Sequence, residues 1–424
     1  MSEIRLSRRA LLSSLVKGAP SRDGAKSWYA AAGDRATITE VGLTAASGTV
    51  RAATTASDVL VVVMLYGGFD GLTAVPALGD PHYASSRPTI AVPASEATRL
   101  DSMFGLHPAL APLLPWWSSR QLAIVDAVGI PYPTLSHFQA QKDLGLAAPG
   151  TSLMTGWMNR ALGVLGETDA LAAAQVGSSV LTQSLEGPKA VTTLWKVDDF
   201  SLVGERWASD LPAAIRSLYS SVDSPVSEVA LDTLSACAEL APLQGVRYRP
   251  AHGAVYPSSD LGSSFQGLAE LIRSGAGIRL AAVEYGDWDF HAGLGAPKGG
   301  AMAAMLGDLA SSLAAFATDL GSSMERVTVV TLSEFGRRVI ENGSGGTDHG
   351  HGNAMLVLGG GVNGGRVYGK WPGLAPADLV LDGNLAGTTD YRSVLAEILR
   401  YRCGVTDLGT VFPKFDPEPV GVVG

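Results

Sequence analysis

The stretch Thr347-Asp348-His349-Gly350-His351-Gly352 holds two of the seven histidines in a chain of 424 residues. Imidazole nitrogen and carboxylate oxygen are donors that a divalent metal accepts, and glycines leave the backbone free to bring them to one point. Three other stretches carry the same kind of donor. Asp70 stands in Phe69-Asp70-Gly71, Asp289 and His291 in Asp287-Trp288-Asp289-Phe290-His291, and Glu334 in Leu332-Ser333-Glu334-Phe335-Gly336. Each has an ordinary reading: a turn at Asp70, a loop hydrogen bond between Asp289 and His291, an ion pair between Glu334 and the following Arg337 or Arg338. All of them follow or precede apolar runs, so they are expected to meet at one edge of a sheet. Unpaired carboxylates crowded there would repel, and a bound cation is the economical remedy. Oxygen and nitrogen ligands suit zinc first, with manganese, magnesium or calcium as alternatives set by the ligand count.

A second kind of chemistry is available at Thr134-Leu135-Ser136-His137. A hydroxyl facing a dication loses its proton more readily and becomes a nucleophile, which makes Ser136 a candidate with Thr134 as its alternative. His137 beside it is placed to donate to a leaving group or to bind the substrate anion. Ser136 equally fits the N-cap of a helix that starts at His137, and the two roles are compatible because a helix N-terminus favours an anion.

The elements that must position these residues are readable as alternating patterns. Continuous apolar runs at 58–65, 122–129, 278–286, 326–336 and 354–362, bounded by glycine, predict strands buried on both faces. Helical spacing occupies 265–275 and 301–321, and 390–404 opens on Asp390 as N-cap and closes on Gly404. Strands alternating with helices predict an α/β fold with a mainly parallel central sheet flanked by helices. In such sheets sites form beyond the carboxyl ends of the strands. Asp70, Asp289, His291 and Glu334 follow strands, while Asp348, His349 and His351 enter one.

Composition bounds the rest. The chain is 46% hydrophobic and 17% charged with a formal net charge of −9, which argues against a broad electrostatic grip on nucleic acid. Cys237 and Cys403 are the two cysteines, and neither belongs to a CxxC pair of the kind that holds zinc. No apolar run reaches transmembrane length. Ser7-Arg8-Arg9-Ala10-Leu11-Leu12 resembles a twin-arginine export signal, an address rather than an anchor, with a basic N-terminal arm as the alternative. Residues 1–56 therefore read as leader and linker, 57–415 as the α/β domain and 416–424 as a C-terminal tail. Trp116 and Trp117 read as partly buried packing or as a partner surface.

Several stretches, among them Tyr66-Gly67-Gly68-Phe69-Asp70-Gly71, Ser136-His137-Phe138-Gln139, Thr331-Leu332-Ser333-Glu334-Phe335-Gly336-Arg337-Arg338 and Thr347-Asp348-His349-Gly350-His351-Gly352, occur in the order seen in the bacterial domain-of-unknown-function family 1501. The resemblance spans about residues 57–415. That family is similar to the alkaline phosphatase and sulfatase superfamily, whose members act on phosphate or sulfate esters at a one- or two-metal site. The resemblance implies that Asp70 is the first metal aspartate and that Ser136 is the nucleophile. It further implies that Asp289, or Asp287 at a four-residue step, ligates with His291. Glu334 replaces a metal aspartate, and Phe335 stands where a metal histidine is expected. His349 or His351 resembles the last metal histidine; independently of the resemblance, the guanidinium fork of Arg337 or Arg338 matches a phosphate or sulfate anion. The expected function is an exported metal-dependent hydrolase of phosphate or sulfate esters, with a small-molecule or glycan ester as substrate; the alternative is a non-catalytic exported binding or assembly protein that keeps the fold with a degenerate site. Metal content discriminates between them.

Overall fold

The computed structural model describes residues 38–39, 58–197, 200–202 and 209–424. The twin-arginine-like stretch lies outside the described residues. Ten strands form one sheet among those that are described. In chain order they are β1 (Ile38–Thr39), β2 (Val59–Met64), β3 (Leu122–Gly129), β4 (Ala173–Val176), β5 (Thr192–Leu194), β6 (Leu280–Glu284), β7 (Val327–Leu332), β8 (Asn353–Gly359), β9 (Val367–Tyr368) and β10 (Thr389–Asp390). Across the sheet they run β1-β5-β4-β6-β2-β7-β8-β3-β9, with β10 also pairing β3.

The apolar run of β2 is the physical centre. Every side chain in it is buried, and alternate residues serve opposite layers. Val59, Val61 and Val63 join the core beneath α3 (Asp260–Ser274) and α4 (Ala301–Leu320). Leu60, Val62 and Met64 join the core beneath α2 (Trp157–Leu165) and α5 (Tyr391–Tyr401). Period-two alternation across a strand covered on both faces requires apolar residues at every position, which is why this run shows no polar alternation. Each fully buried Val, Leu or Met contributes about 1.5–3 kcal/mol.

Helix ends follow their local chemistry. Gly275 closes α3 at φ +76, a left-handed conformation that costs glycine nothing. The Asp390 side chain accepts from the backbone N–H of Arg392 and starts α5. The stretch Ala301–Arg326 is long and apolar enough to cross a membrane by composition. Here it packs against α3 and the turn of helix at Pro108–Leu113, as a core helix does.

One strand departs from the expected parallel order. β8 is antiparallel to both β7 and β3, while β2 is parallel to β6 and β7. The segment from Ser333 to Gly352 must therefore leave and re-enter the sheet at the same edge. β3 ends there too, because Val128 pairs with Asn353. The carboxyl ends of β2, β6, β7 and β3 and the entrance to β8 thus share one rim.

Residues 416–424 are built into the fold. The carboxylate of Glu397 on α5 accepts from the backbone N–H of Val420, Gly421 and Val423 at 2.9, 2.8 and 2.8 Å, and Val422 and Val423 are buried. Trp116 and Trp117 pack against the core. Cys237 and Cys403 are both buried.

Candidate metal centre

After β6 the chain turns at Asp287, an exposed residue at φ +69, a conformation that aspartate tolerates better than most side chains. Trp288 is buried edge-on between Phe69 and Tyr285, at centroid distances of 4.9 and 5.4 Å, and its ring N–H donates to the Tyr285 carbonyl. This anchor presents Asp289 and His291 at the rim. The paired segments Gly336–Arg338 and Asp348–His351 present His349. Gly350 donates to the Gly336 carbonyl at 2.8 Å, and Arg338 to the Asp348 carbonyl at 2.9 Å. A Cβ on Gly350 would lie 2.3 Å from the Arg337 carbonyl carbon, so the pairing requires glycine there. α1 (His137–Leu146) starts at the same rim and brings His137 from the opposite side.

Three imidazoles meet with Asp289. The Nε2 atoms of His137 and His349 are 3.0 Å apart, and those of His291 and His349 are 2.9 Å apart. Asp289 Oδ2 is 3.4 Å from His137 Nε2, while its Oδ1 is 3.3 Å from His291 Nε2 and 3.4 Å from His349 Nε2. One donor atom each from His137, Asp289 and His349 lies within 4.8 Å of the other two. Tetrahedral zinc with bonds of about 2.0–2.2 Å places its donors roughly 3.4 Å apart.

The outer nitrogens decide the tautomers. His349 Nδ1 is 2.6 Å from the Leu135 carbonyl, an oxygen that only accepts, so the proton sits on Nδ1. His137 Nδ1 is 2.7 Å from Glu334 Oε1, and His291 Nδ1 is 3.1 Å from Asp348 Oδ1. With all three Nδ1 protons directed outward, neutral imidazoles present three Nε2 lone pairs toward one another. Lone pairs at about 3 Å repel unless a proton or a cation stands between them. Imidazole held from behind by a carboxylate or carbonyl is the usual support of a metal ligand. The donor set therefore fits a divalent metal.

Electrostatics keep the carboxylates charged. Burial raises the Asp289 pKa, but the hydrogen bond and charge of Arg337, with His137 and His291, outweigh it and hold the group below the usual range. Burial likewise opposes Glu334, and bonds from His137 and the Gly67 N–H reverse it, so this group is also lowered. The bond to Glu334 raises His137 against burial. Burial lowers His349, partly offset by the Leu135 bond. The side chains of Asp289 and His291 are 45% and 47% exposed, which leaves the cluster open on one face.

Several expected roles change. Glu334 is fully buried, and its Oε1 already accepts from Gly67 at 2.8 Å, His137 at 2.7 Å and Gln141 at 3.0 Å. It orients His137 and stands one bond away from the donor cluster. Asp348 orients His291 in the same way and is itself held by Asn342 at 3.1 Å. His351 stands apart from the cluster: it is buried, accepts from the Gly387 N–H through Nδ1 at 3.4 Å and donates to the Ile130 carbonyl through Nε2 at 3.1 Å. Asp70 also stands apart from the cluster: it caps the turn at Gly71–Ala74 and pairs with buried Arg87 at 2.7 Å. Arg337 is engaged within the fold and not turned to the open face of the cluster. Its guanidinium is buried against the carbonyls of Gly67, Gly68, Trp288 and Thr347 and the Asp289 carboxylate. Ser136 is exposed at the start of α1 without capping it, and its N–H donates to Thr134 Oγ1. Gln141 escaped the sequence reading, although it stands four residues after His137 and so on the same helix face.

No curated protein matches this chain significantly. Among solved structures it is similar to the lipoteichoic acid synthase LtaP from Listeria monocytogenes, at 9% identity and a TM-score of 0.34, covering 74% of this chain and 68% of that one. It is similar to the C-terminal periplasmic domain of EcEptC from Escherichia coli in complex with Zn, at 12% and 0.31, covering 77% of each. The sulfatase PsFucS1 from Pseudoalteromonas sp. is a third, at 14% and 0.35, covering 86% and 73%. Likenesses this weak locate no residue and fix no activity. The model of the family described as "Protein of unknown function (DUF1501)" matches residues 125–414, a span that contains His137, Asp289, His291 and His349. The chain belongs to the DUF1501 family.

Proposed function

We propose that this protein is an exported metal-dependent hydrolase of phosphate or sulfate esters, with zinc as the metal. The observation that carries the reading is the set of three imidazoles, each holding its proton outward, whose Nε2 atoms converge beside an ionised Asp289. Nitrogen-rich donors with one carboxylate favour zinc over magnesium or calcium. When bound, such an ion polarises an ester oxygen and acidifies an attached oxygen nucleophile. The chain's own residues hold and orient: Glu334 aims His137, Asp348 aims His291, the Leu135 carbonyl aims His349, and Arg337 keeps Asp289 ionised. Ser136, beside His137 at the N-terminus of a ten-residue helix, is the candidate nucleophile. Arg8 and Arg9 support the export part of the proposal.

A non-catalytic binding protein is the second reading, favoured by one observation: the buried Arg337 guanidinium is taken up by the Asp289 carboxylate and by backbone carbonyls. Natively purified protein should carry about one zinc per chain by elemental analysis and turn over aryl phosphate or sulfate esters. Metal-free protein that hydrolyses nothing in such a panel would exclude the hydrolase; bound metal without turnover selects the second reading.

A further inference from the structure

Arg87 is fully buried and far in sequence from every residue of the cluster, yet its guanidinium joins three segments. Nε donates to the Val339 carbonyl at 2.9 Å and Nη2 to the Arg338 carbonyl at 2.8 Å. Nη1 donates to Asp70 Oδ2 at 2.7 Å and Thr73 Oγ1 at 3.0 Å. The neighbouring backbone locks the same segments together. Glu341 N–H donates to the Ser86 carbonyl at 3.0 Å, and the Glu341 carboxylate accepts from Thr89 and Ile90 at 2.9 and 3.1 Å.

What Arg87 grips lies next to two arms of the metal centre. Arg337 immediately precedes the held carbonyls and reaches Asp289 at 2.6 Å. The Arg338 N–H holds the Asp348 carbonyl at 2.9 Å, one residue before His349. A shift of residues 338–339 would therefore move both the carboxylate arm and the His349 arm. His137 would be untouched, since Glu334 and α1 hold it separately. Building on the metal reading above, we infer that Arg87, neutralised by Asp70, is a positioning residue of the metal centre that acts through the backbone of Arg338 and Val339. Lysine cannot replace it, because one ammonium lacks the planar fork that reaches two carbonyls and a carboxylate together.

The test is Co2+ titration of the metal-free protein, read by visible d–d absorption, which is strong for tetrahedral and weak for six-coordinate Co2+. Arg87→Lys keeps a cation beside Asp70 and loses the carbonyl clamp. It should bind Co2+ about tenfold more weakly, as for other outer supports of metal ligands, with a band reduced in intensity in protein whose circular dichroism is native. Asp70→Asn, which retains the hydrogen-bonding shape, should shift both readouts the same way by less and covers the case in which Arg87→Lys does not fold. Native variants with the wild-type Co2+ affinity and spectrum would reduce Arg87 to a purely structural role and overturn the inference while leaving the metal reading intact. Wild-type protein that takes up no Co2+ would overturn both.

Discussion

His349 and His351 are separated by one glycine and have opposite surroundings. His349 has one nitrogen fixed by a carbonyl and the other facing two imidazoles and a carboxylate. His351 has both nitrogens engaged by backbone groups and is 8% exposed. A histidine satisfied at both nitrogens is a strut between loops, here joining Ile130 to Gly387. One satisfied at a single nitrogen, with its lone pair directed at other donors, is prepared for a ligand. Residue type and loop composition are the same for both, so the distinction rests on the partners alone.

The sharpest way to break this comparison is to truncate each histidine. His349→Ala should weaken zinc binding more than about 100-fold, beyond what loss of an outer support costs, and a chelator should then lower its melting temperature no further. Retention of wild-type metal content would remove His349 from the donor set. His351→Ala should leave about one zinc in the folded protein but cost about 2–4 kcal/mol in denaturant unfolding, from a small cavity and an unpaired buried carbonyl. Loss of metal at unchanged stability would reverse the two assignments.

Glu334→Gln probes the support behind His137. The amide still fills the space and its oxygen still accepts from His137 Nδ1, but the negative charge behind the raised imidazole is gone, and zinc affinity should fall about tenfold, measured by competition with a chromophoric chelator. An unchanged affinity would mean that the carboxylate charge behind His137 contributes nothing to metal binding.

The smallest effect expected is in the pH dependence of the metal-free protein. Burial lowers the His351 pKa in the folded state. The unfolded chain then binds the proton more readily, so this group's contribution is complete well above pH 6.5 and is lost as pH falls through and below about 6.5. His351→Gln, which does not titrate, should flatten the acid limb of urea midpoints between about pH 7 and 5 relative to wild type. An acid limb of wild-type steepness would assign the dependence to other groups.

Much of the fold was readable because burial on both faces leaves a plain mark. The runs at 58–65 and 122–129 became β2 and β3 within a residue or two, and Gly275 and Asp390 ended and began their helices as their side chains dictate. β4 and β5, four and three residues long, carried too short a signal to stand out. The strand reversal at β8 was also invisible, since apolar content does not encode direction. At the site, donor type drew attention to Asp289, His291 and His349, which the fold brings together, and to Asp287, which lies exposed at a turn. Glu334, Asp70 and Arg337 have the right chemistry for the roles expected of them, but each meets a partner more than 15 residues away in sequence. His137 was read as acid or anion binder because its neighbour Ser136 suggested a nucleophile; only the geometry brings its Nε2 to His349.

The strand reversal and the wide spacing of the donors also bear on the order of assembly. His137 and His349 are 212 residues apart, and His291 and His349 are 58 apart. No two of these imidazoles are close enough in sequence for an unfolded chain to offer them together; Asp289 and His291 are the one local pair of donors. A metal ion would thus meet weak, isolated imidazoles until β2, β3, β6, β7 and β8 had docked, and loop-closure entropy makes such non-local pairings late events. During synthesis the third imidazole emerges only after four-fifths of the chain. Metal capture would be a seal on a finished sheet, and because an ion that binds only the folded state slows its loss, the loaded protein should resist unfolding on a longer clock than the empty one.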